Sequence, residues 1–296
     1  MQVLIAGSSG FLGRHLTEQL RADGHEAVRL VRRAAEGAHE SQWDPYTGRV
    51  DADTVESADV VVNLAGAPTA GNPHTKKWAR ELRESRVTTT RVLAEAIADS
   101  TRKPAFLAGN GISYYGDHGA EVLTETSESR GDSLLTQVAR EWQEAAEPAV
   151  AAGARVCVIR TAPVLDRRAA PLRQLILPFR LGLGVRLGDG HQSFAVISLR
   201  DWVGAVSFLA GADDASGPFN LCCPDTPTNA EFTDALAAAL GRKARLKAPA
   251  MLLARAAGAM ANEILGSVNA RPAALESAGF EFRDRDIRAV LGSALR

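Results

Sequence analysis

The chain predicts an α/β protein: a doubly wound parallel sheet in the N-terminal part and a smaller, mainly helical cap after it. Three observations carry this expectation. Short β-branched runs alternate with longer amphipathic stretches as far as residue 165. A glycine-rich turn follows the first run directly, and beyond Arg160 the alternation gives way to helical periodicity. In order, Gln2–Ala6, Ala27–Val31, Val60–Leu64, Ala105–Ala108 and Arg155–Ile159 read as buried parallel strands, each an apolar run rather than an alternating one. Leu12–Ala22, Thr75–Ala98 and Leu134–Ala152 read as the helices between them. Right-handed crossovers then wind the sheet on both faces.

The later chain predicts a helix over Arg168–Leu183, a glycine-rich stretch from Gly184 to Gln192 and a short strand at Phe194–Ile197. Helices follow over Arg200–Ala210, Asn229–Leu240, Pro249–Asn262 and Arg271–Ala278. The expected division is 1–165 as a nucleotide-binding core and 166–296 as a substrate-binding cap, with some segments returning to the core and a cleft between the two.

Composition removes several function classes. The 34 basic and 35 acidic side chains nearly cancel, so no global field draws the protein to nucleic acid or an anionic membrane. No stretch approaches the length of a membrane span, and Met1 leads straight into Val3-Leu4-Ile5-Ala6, so the expectation is a cytoplasmic protein. Cys157, Cys222 and Cys223 lack zinc-ligand spacing and read as core thiols. No metal site, serine-hydrolase elbow or Walker lysine is expected.

The strongest motif is Gly7-Ser8-Ser9-Gly10-Phe11-Leu12-Gly13, a Gly-x-x-Gly-x-x-Gly turn between the first strand and the first helix. Its glycines allow a tight turn, close backbone approach to a pyrophosphate, and close packing of helix on strand, while the helix N-terminus favours the phosphates. This is the Rossmann arrangement. At the end of the second strand, where an acidic side chain would bond the ribose 2′-hydroxyl of NAD, stands Val31, followed by Arg32 and Arg33. Guanidinium groups suit a 2′-phosphate, which favours NADP(H), against the alternative that one or both arginines are solvated loop charges. Leu64, Ala65 and Gly66 close the third strand with small residues that let the chain pass near the cofactor ribose.

With Asn63-Leu64-Ala65-Gly66-Ala67-Pro68, Trp78, Ser85-Arg86-Val87, Tyr114-Tyr115-Gly116-Asp117, Arg160-Thr161, Pro178-Phe179-Arg180-Leu181-Gly182-Leu183-Gly184, Gly217-Pro218-Phe219-Asn220 and Ala278-Gly279-Phe280-Glu281-Phe282, the sequence resembles the atypical extended short-chain dehydrogenase/reductases. Within them it is similar to the epimerase/dehydratase-like group that carries a C-terminal domain of uncharacterised function. The resemblance implies a tyrosine acid/base, a lysine four residues on and a serine or threonine facing the substrate oxygen. This chain departs from it: Tyr46, Tyr114 and Tyr115 are followed four residues later by Val50, His118 and Gly119. The helix expected to carry the dyad, Ser133 to Trp142, has neither tyrosine nor lysine. The serine position falls on Asn110 or Gly111, with Ser113 the nearby hydroxyl.

Asn110, Ser113 and Tyr114 are therefore the first candidates for substrate contact and proton transfer, against the alternative that the tyrosines fill the loop's own core. His191, beyond the glycine-rich segment, is a further candidate because an imidazole titrates near neutrality, or else it is a surface histidine. Arg160 could pair with a carboxylate or phosphate, or brace the scaffold. The leading functional expectation is an NADP(H)-dependent oxidoreductase or epimerase for a small organic substrate. Its rivals are an NADP(H)-binding regulator without redox chemistry and a non-redox isomerase or cyclase in the same cleft. A homodimer is expected on fold analogy alone.

Overall fold

Val3, Leu4, Ile5 and Ala6 are all fully buried, as a strand covered on both faces must be. They belong to β1 (Gln2–Ala6), which lies in register between β2 (Glu26–Val31) and β4 (Val60–Asn63), parallel to both. The computed structural model describes residues 1–69 and 71–296. Its main sheet has seven strands. Adding β3 (Glu40–Gln42), β5 (Ala105–Gly111), β6 (Val156–Thr161) and β7 (Gly217–Leu221), the order is β7-β6-β5-β4-β1-β2-β3. β2–β3 and β4–β5 are also parallel. The winding reverses between β1 and β4, the position at which open α/β sheets bind ligands beyond the strand ends.

The expected doubly wound sheet with flanking helices is thus present. β3 was not expected, because Glu40-Ser41-Gln42 has no β-branched residue; its pairing to β2 holds it. The long expected helix 134–152 is two: α4 (Leu134–Glu144) and α5 (Glu147–Ala151). Pro148 cannot donate a backbone hydrogen bond, and its ring would strike the carbonyl of the residue four back, Glu144, where α4 ends. The helix expected over 168–183 is shorter, Leu172–Arg180, and begins after Pro171. The one expected over 249–262 divides into Ala250–Ala257 and Ala261–Leu265 around Gly258, whose φ of 53° no right-handed α-helix accommodates. The strand expected at 194–197 is a short pair of Ile197–Ser198 with Val164–Leu165.

The chain forms two compact units. One comprises Met1–Asn110, Val138–Ile159 and Val203–Pro218; the other comprises Gly111–Gln137, Arg160–Trp202 and Phe219–Arg296. In the first, Leu4, Leu30, Trp43, Phe106 and Ile97 pack together between sheet and helices. In the second, one cluster joins Leu172, Phe179, Phe232, Leu236 and Leu291. A separate cluster there joins Tyr115, Leu123, Cys222 and Ala270. A helix not expected, Ile287–Ala294, completes the larger cluster; Asp286 caps it by accepting the N–H groups of Arg288 and Ala289. All three cysteines are buried and unpaired, and burial holds each thiol pKa up, to about 11 for Cys157 and about 12 for Cys223. No helix among the described residues is long and apolar enough to cross a membrane.

Candidate dinucleotide site

The chain leaves β1 through Gly7, whose φ of 79° lies in the left-handed region that favours glycine. A Cβ at Gly7 would sit 2.5 Å from the Leu64 carbonyl carbon and 2.7 Å from the Ala65 nitrogen, so two stretches of bare backbone meet here. Gly10 donates its N–H to the Gly7 carbonyl at 3.0 Å and closes the turn. Gly13, buried in α1 (Phe11–Ala22), would place a Cβ 2.3 Å from the Gly7 oxygen. The helix therefore presses onto the turn only because Gly7 and Gly13 lack side chains; a Cβ at Gly10 would meet just the Gly7 oxygen, at 3.2 Å. Gly10 is the N-cap and offers no side chain to the first-turn amides, and no acidic residue occupies that turn. A helix start without a side-chain cap, at the positive end of the helix dipole, suits a phosphate. Ser8 is buried, Ser9 is exposed, and Phe11 and Leu12 are partly covered.

The opposite wall is the loop after β4. Asn63, fully buried, donates through Nδ2 to the Thr90 hydroxyl at 2.8 Å, and its Oδ1 accepts the Ala65 N–H at 3.0 Å. The Leu64 N–H bonds Ala6, and the Ala67 N–H bonds Ser85 Oγ at 2.9 Å. Leu64, Ala65 and Gly66 are in this way pinned between β1 and α3 (Lys76–Asp99). The resemblance had flagged Ser85 and Arg86 without giving them a role. The available signal was their register with Trp78, Leu82 and Thr89 on the buried face of α3.

At the end of β2 the two arginines part company. Arg33 sends both terminal nitrogens to the Glu40 carboxylate at 2.8 Å each, and Arg29 reaches the same carboxylate at 2.5 Å. The Arg33 hydrogen bond in turn holds the Glu40 pKa below the ordinary range. Arg32 is exposed and, among the described residues, has no hydrogen bond or ion pair.

The remaining candidates follow β5. Asn110 is buried, and its Nδ2 donates to the Ala139 carbonyl at 3.0 Å. Ser113 and Tyr114 occupy a single 3-10 turn, Ile112–Tyr114. The Arg160 guanidinium lies over the Tyr114 ring, 3.6 Å from its centroid. Tyr115 is fully buried; its hydroxyl donates to Asn220 Oδ1 and accepts from Arg160 Nη1, both at 2.8 Å. Burial pushes its pKa up to about 12, and with its hydroxyl bonded on both sides Tyr115 braces the turn. Arg160, itself buried, braces the same turn through both tyrosines and the Glu125 carbonyl. His191 stands on a separate, exposed turn, its backbone N–H held by Asp189. Among the described residues its imidazole has no partner.

A switch-point turn that excludes side chains, an uncapped helix start and a pinned loop opposite define a dinucleotide-binding protein of the Rossmann class. The sequence pattern of the NAD dependent epimerase/dehydratase family matches residues 3–222, and the chain belongs to that family. Residues 248–294 match a domain of unknown function, DUF1731. The epimerase family protein Mb2239 of Mycobacterium bovis is 40% identical over 293 residues, covering 99% of this chain and 97% of that one. The epimerase family protein SDR39U1 of Mus musculus is 33% identical over 302 residues, covering 98% of each. The crystal structure of human SDR39U1 (isoform 2) with NADPH matches with a TM-score of 0.86 at 30% identity, covering 99% of both chains. The resemblance drawn from the motifs therefore holds.

Proposed function

We propose that the protein is an NADP(H)-dependent oxidoreductase or epimerase acting on a small organic molecule. The observation that carries the choice of cofactor is the state of the charges beyond β2. Val31 offers no acceptor to a ribose 2′-hydroxyl, the nearby Glu40 is held by Arg29 and Arg33, and Arg32 is a cation without a partner among the described residues. A 2′-phosphate satisfies Arg32; a 2′-hydroxyl does not. That a human relative was crystallised with NADPH supports the same reading. Gly7, Ser8, Ser9, Gly10, Phe11, Leu12 and Gly13 would hold the diphosphate, and Leu64, Ala65 and Gly66 would line the ribose beyond it.

When bound, the nicotinamide ring supplies hydride exchange with a carbon of the substrate. The chain's own share is proton transfer and orientation. Because no tyrosine has lysine four residues later, the usual dyad does not perform it. We assign it to Ser113 or Tyr114, consecutive on a braced turn, whose hydroxyls have no partner among the described residues and so could exchange a proton with a substrate oxygen. Asn110 orients from the strand end, and His191 is the remaining titratable group.

The test is a parallel fluorescence titration of nucleotide-free protein with NADPH and NADH, repeated for Arg32→Ala. The expected result is tighter binding of NADPH, weakened about tenfold or more in the variant, the size of a lost charge-assisted hydrogen bond. Binding of neither nucleotide would overturn the reading.

A further inference from the structure

Several arginines in this chain are matched to carboxylates: Arg29 and Arg33 to Glu40, Arg83 to Glu141, Arg168 to Asp166, Arg200 to Asp284. Arg86 is not. It projects from α3 beneath the loop after β4, and its Nη1 donates to two neutral carbonyls, Ala67 and Leu82, at 3.1 Å each. Its guanidinium carbon lies 5.2 Å from the centroid of the Trp142 ring. Among the described residues no acidic group comes within ion-pair distance of it.

Burial without a counter-charge has a cost, which shows as a pKa lowered to about 10. Nε and Nη2 accept no assignment within the chain, yet neither belongs to the sealed, unpartnered atoms. Two parallel donors are therefore presented to whatever lies outside. Gly66 explains how close that is to the dinucleotide seat: a Cβ there would stand 3.4 Å from the Arg86 side chain, and the same loop, two residues earlier, abuts Gly7. Side-chain packing on Trp142 and two carbonyl bonds fix the fork in one orientation, which suits a planar or tetrahedral oxyanion and not a point contact.

We propose that Arg86 is an anion-receiving residue, taking a carboxylate or phosphate group of a molecule bound beside the Gly66 loop. The group comes either from the dinucleotide or from an acidic substrate held against it. The proposal rests on reading the Gly7 turn and the Gly66 loop as one seat, and its test separates the two ideas.

Wild type, Arg86→Lys and Arg86→Met are titrated calorimetrically with NADPH, then with pyrophosphate and with malonate added to NADPH-loaded protein. In parallel, wild-type protein is labelled with an arginine-selective dicarbonyl reagent, and the rate at Arg86 is followed by mass spectrometry with and without each probe. If the anion belongs to the dinucleotide, NADPH affinity drops about tenfold or more in Arg86→Met, less in Arg86→Lys, and NADPH protects Arg86 from labelling. If it belongs to a substrate, NADPH affinity is unchanged while malonate or pyrophosphate binds wild type, protects Arg86 and fails to bind either variant. Should Arg86→Met not fold, the labelling of wild type and the Arg86→Lys titration decide. Unaltered labelling of Arg86 with all three probes overturns the assignment. Protection by pyrophosphate in a protein that binds no NADPH would refute the cofactor reading and leave the anion site standing.

Discussion

The guanidinium of Arg33 meets the carboxylate of Glu40 through two parallel contacts of 2.8 Å. That pair decides which of two adjacent arginines is available to a ligand, and it depends on β3, a strand of three residues. Replacing Glu40 by Gln releases Arg33 without removing the packing beneath it. The expected outcome for Glu40→Gln is a several-fold gain in NADPH affinity with little change for NADH, read by the same parallel titration. An unchanged ratio of the two dissociation constants would show that Arg33 plays no part even when freed.

The glycine turn predicts a different kind of loss. Gly13→Ala drives a methyl to 2.3 Å from the Gly7 carbonyl oxygen, and Gly7→Ala adds a positive φ to a clash with Leu64 backbone. Neither neighbour is a flexible side-chain tip. Each variant should lose about 2–4 kcal/mol of stability from overpacking and strain, and should bind NADPH more weakly. Gly10→Ala, whose Cβ would meet only the Gly7 oxygen at 3.2 Å, should keep most of its stability. Urea unfolding of the three variants, expected in that order, checks the argument.

The two adjacent tyrosines should separate cleanly. Tyr115→Phe removes a hydroxyl that both Asn220 and Arg160 use, leaving buried polar atoms without it, and should cost about 1–3 kcal/mol of stability with NADPH affinity intact. Tyr114→Phe, Ser113→Ala and His191→Ala should leave stability near wild type. At least one of them should reduce turnover of a carbonyl substrate while sparing NADPH binding. Full activity in all three would return the proton transfer to water or to a group not named here.

A pH prediction attaches to Glu263, in the helix Ala261–Leu265, whose Oε1 accepts from the Ser133 hydroxyl at 3.0 Å. Burial raises its pKa from the ordinary 4.5, the Ser133 bond opposing the shift. A carboxyl with a raised folded-state pKa gives its full stabilisation below the unfolded value and loses it as pH climbs through the folded one. Wild type should therefore weaken relative to Glu263→Gln as pH rises from about the ordinary glutamate value toward neutrality. Thermal midpoints of the pair should coincide in acid and diverge above it. A constant difference across the range would exclude titration of Glu263 as the cause.

Much of the seat was legible in the sequence because it is local: strand, turn and helix start lie within thirteen residues, and glycine at the required spacings has few other uses. The break at Pro148 was equally legible from the chemistry of proline, had the apolar period of 134–152 not hidden it. What escaped was non-local. That Glu40 engages Arg33 follows only from a strand with no β-forming residue, and the lack of an acidic partner for Arg86 among the described residues is a property of packing around α3 that no spacing encodes. Ser113 and Tyr114 are candidates on the sequence alone, but that Arg160 stacks on Tyr114 while its neighbour Tyr115 is locked away came from the folded chain alone.

Helix α3 runs for 24 residues, about 36 Å, and touches the loop after β4 at successive turns: Ser85 and Arg86 at Ala67, Thr89 and Thr90 at Asn63. Dropping a single residue from its middle would swing everything on one side by about 100° and slide it by about 1.5 Å. Within the helix, from Ser85 to Thr90, a change of chain length would therefore break these contacts.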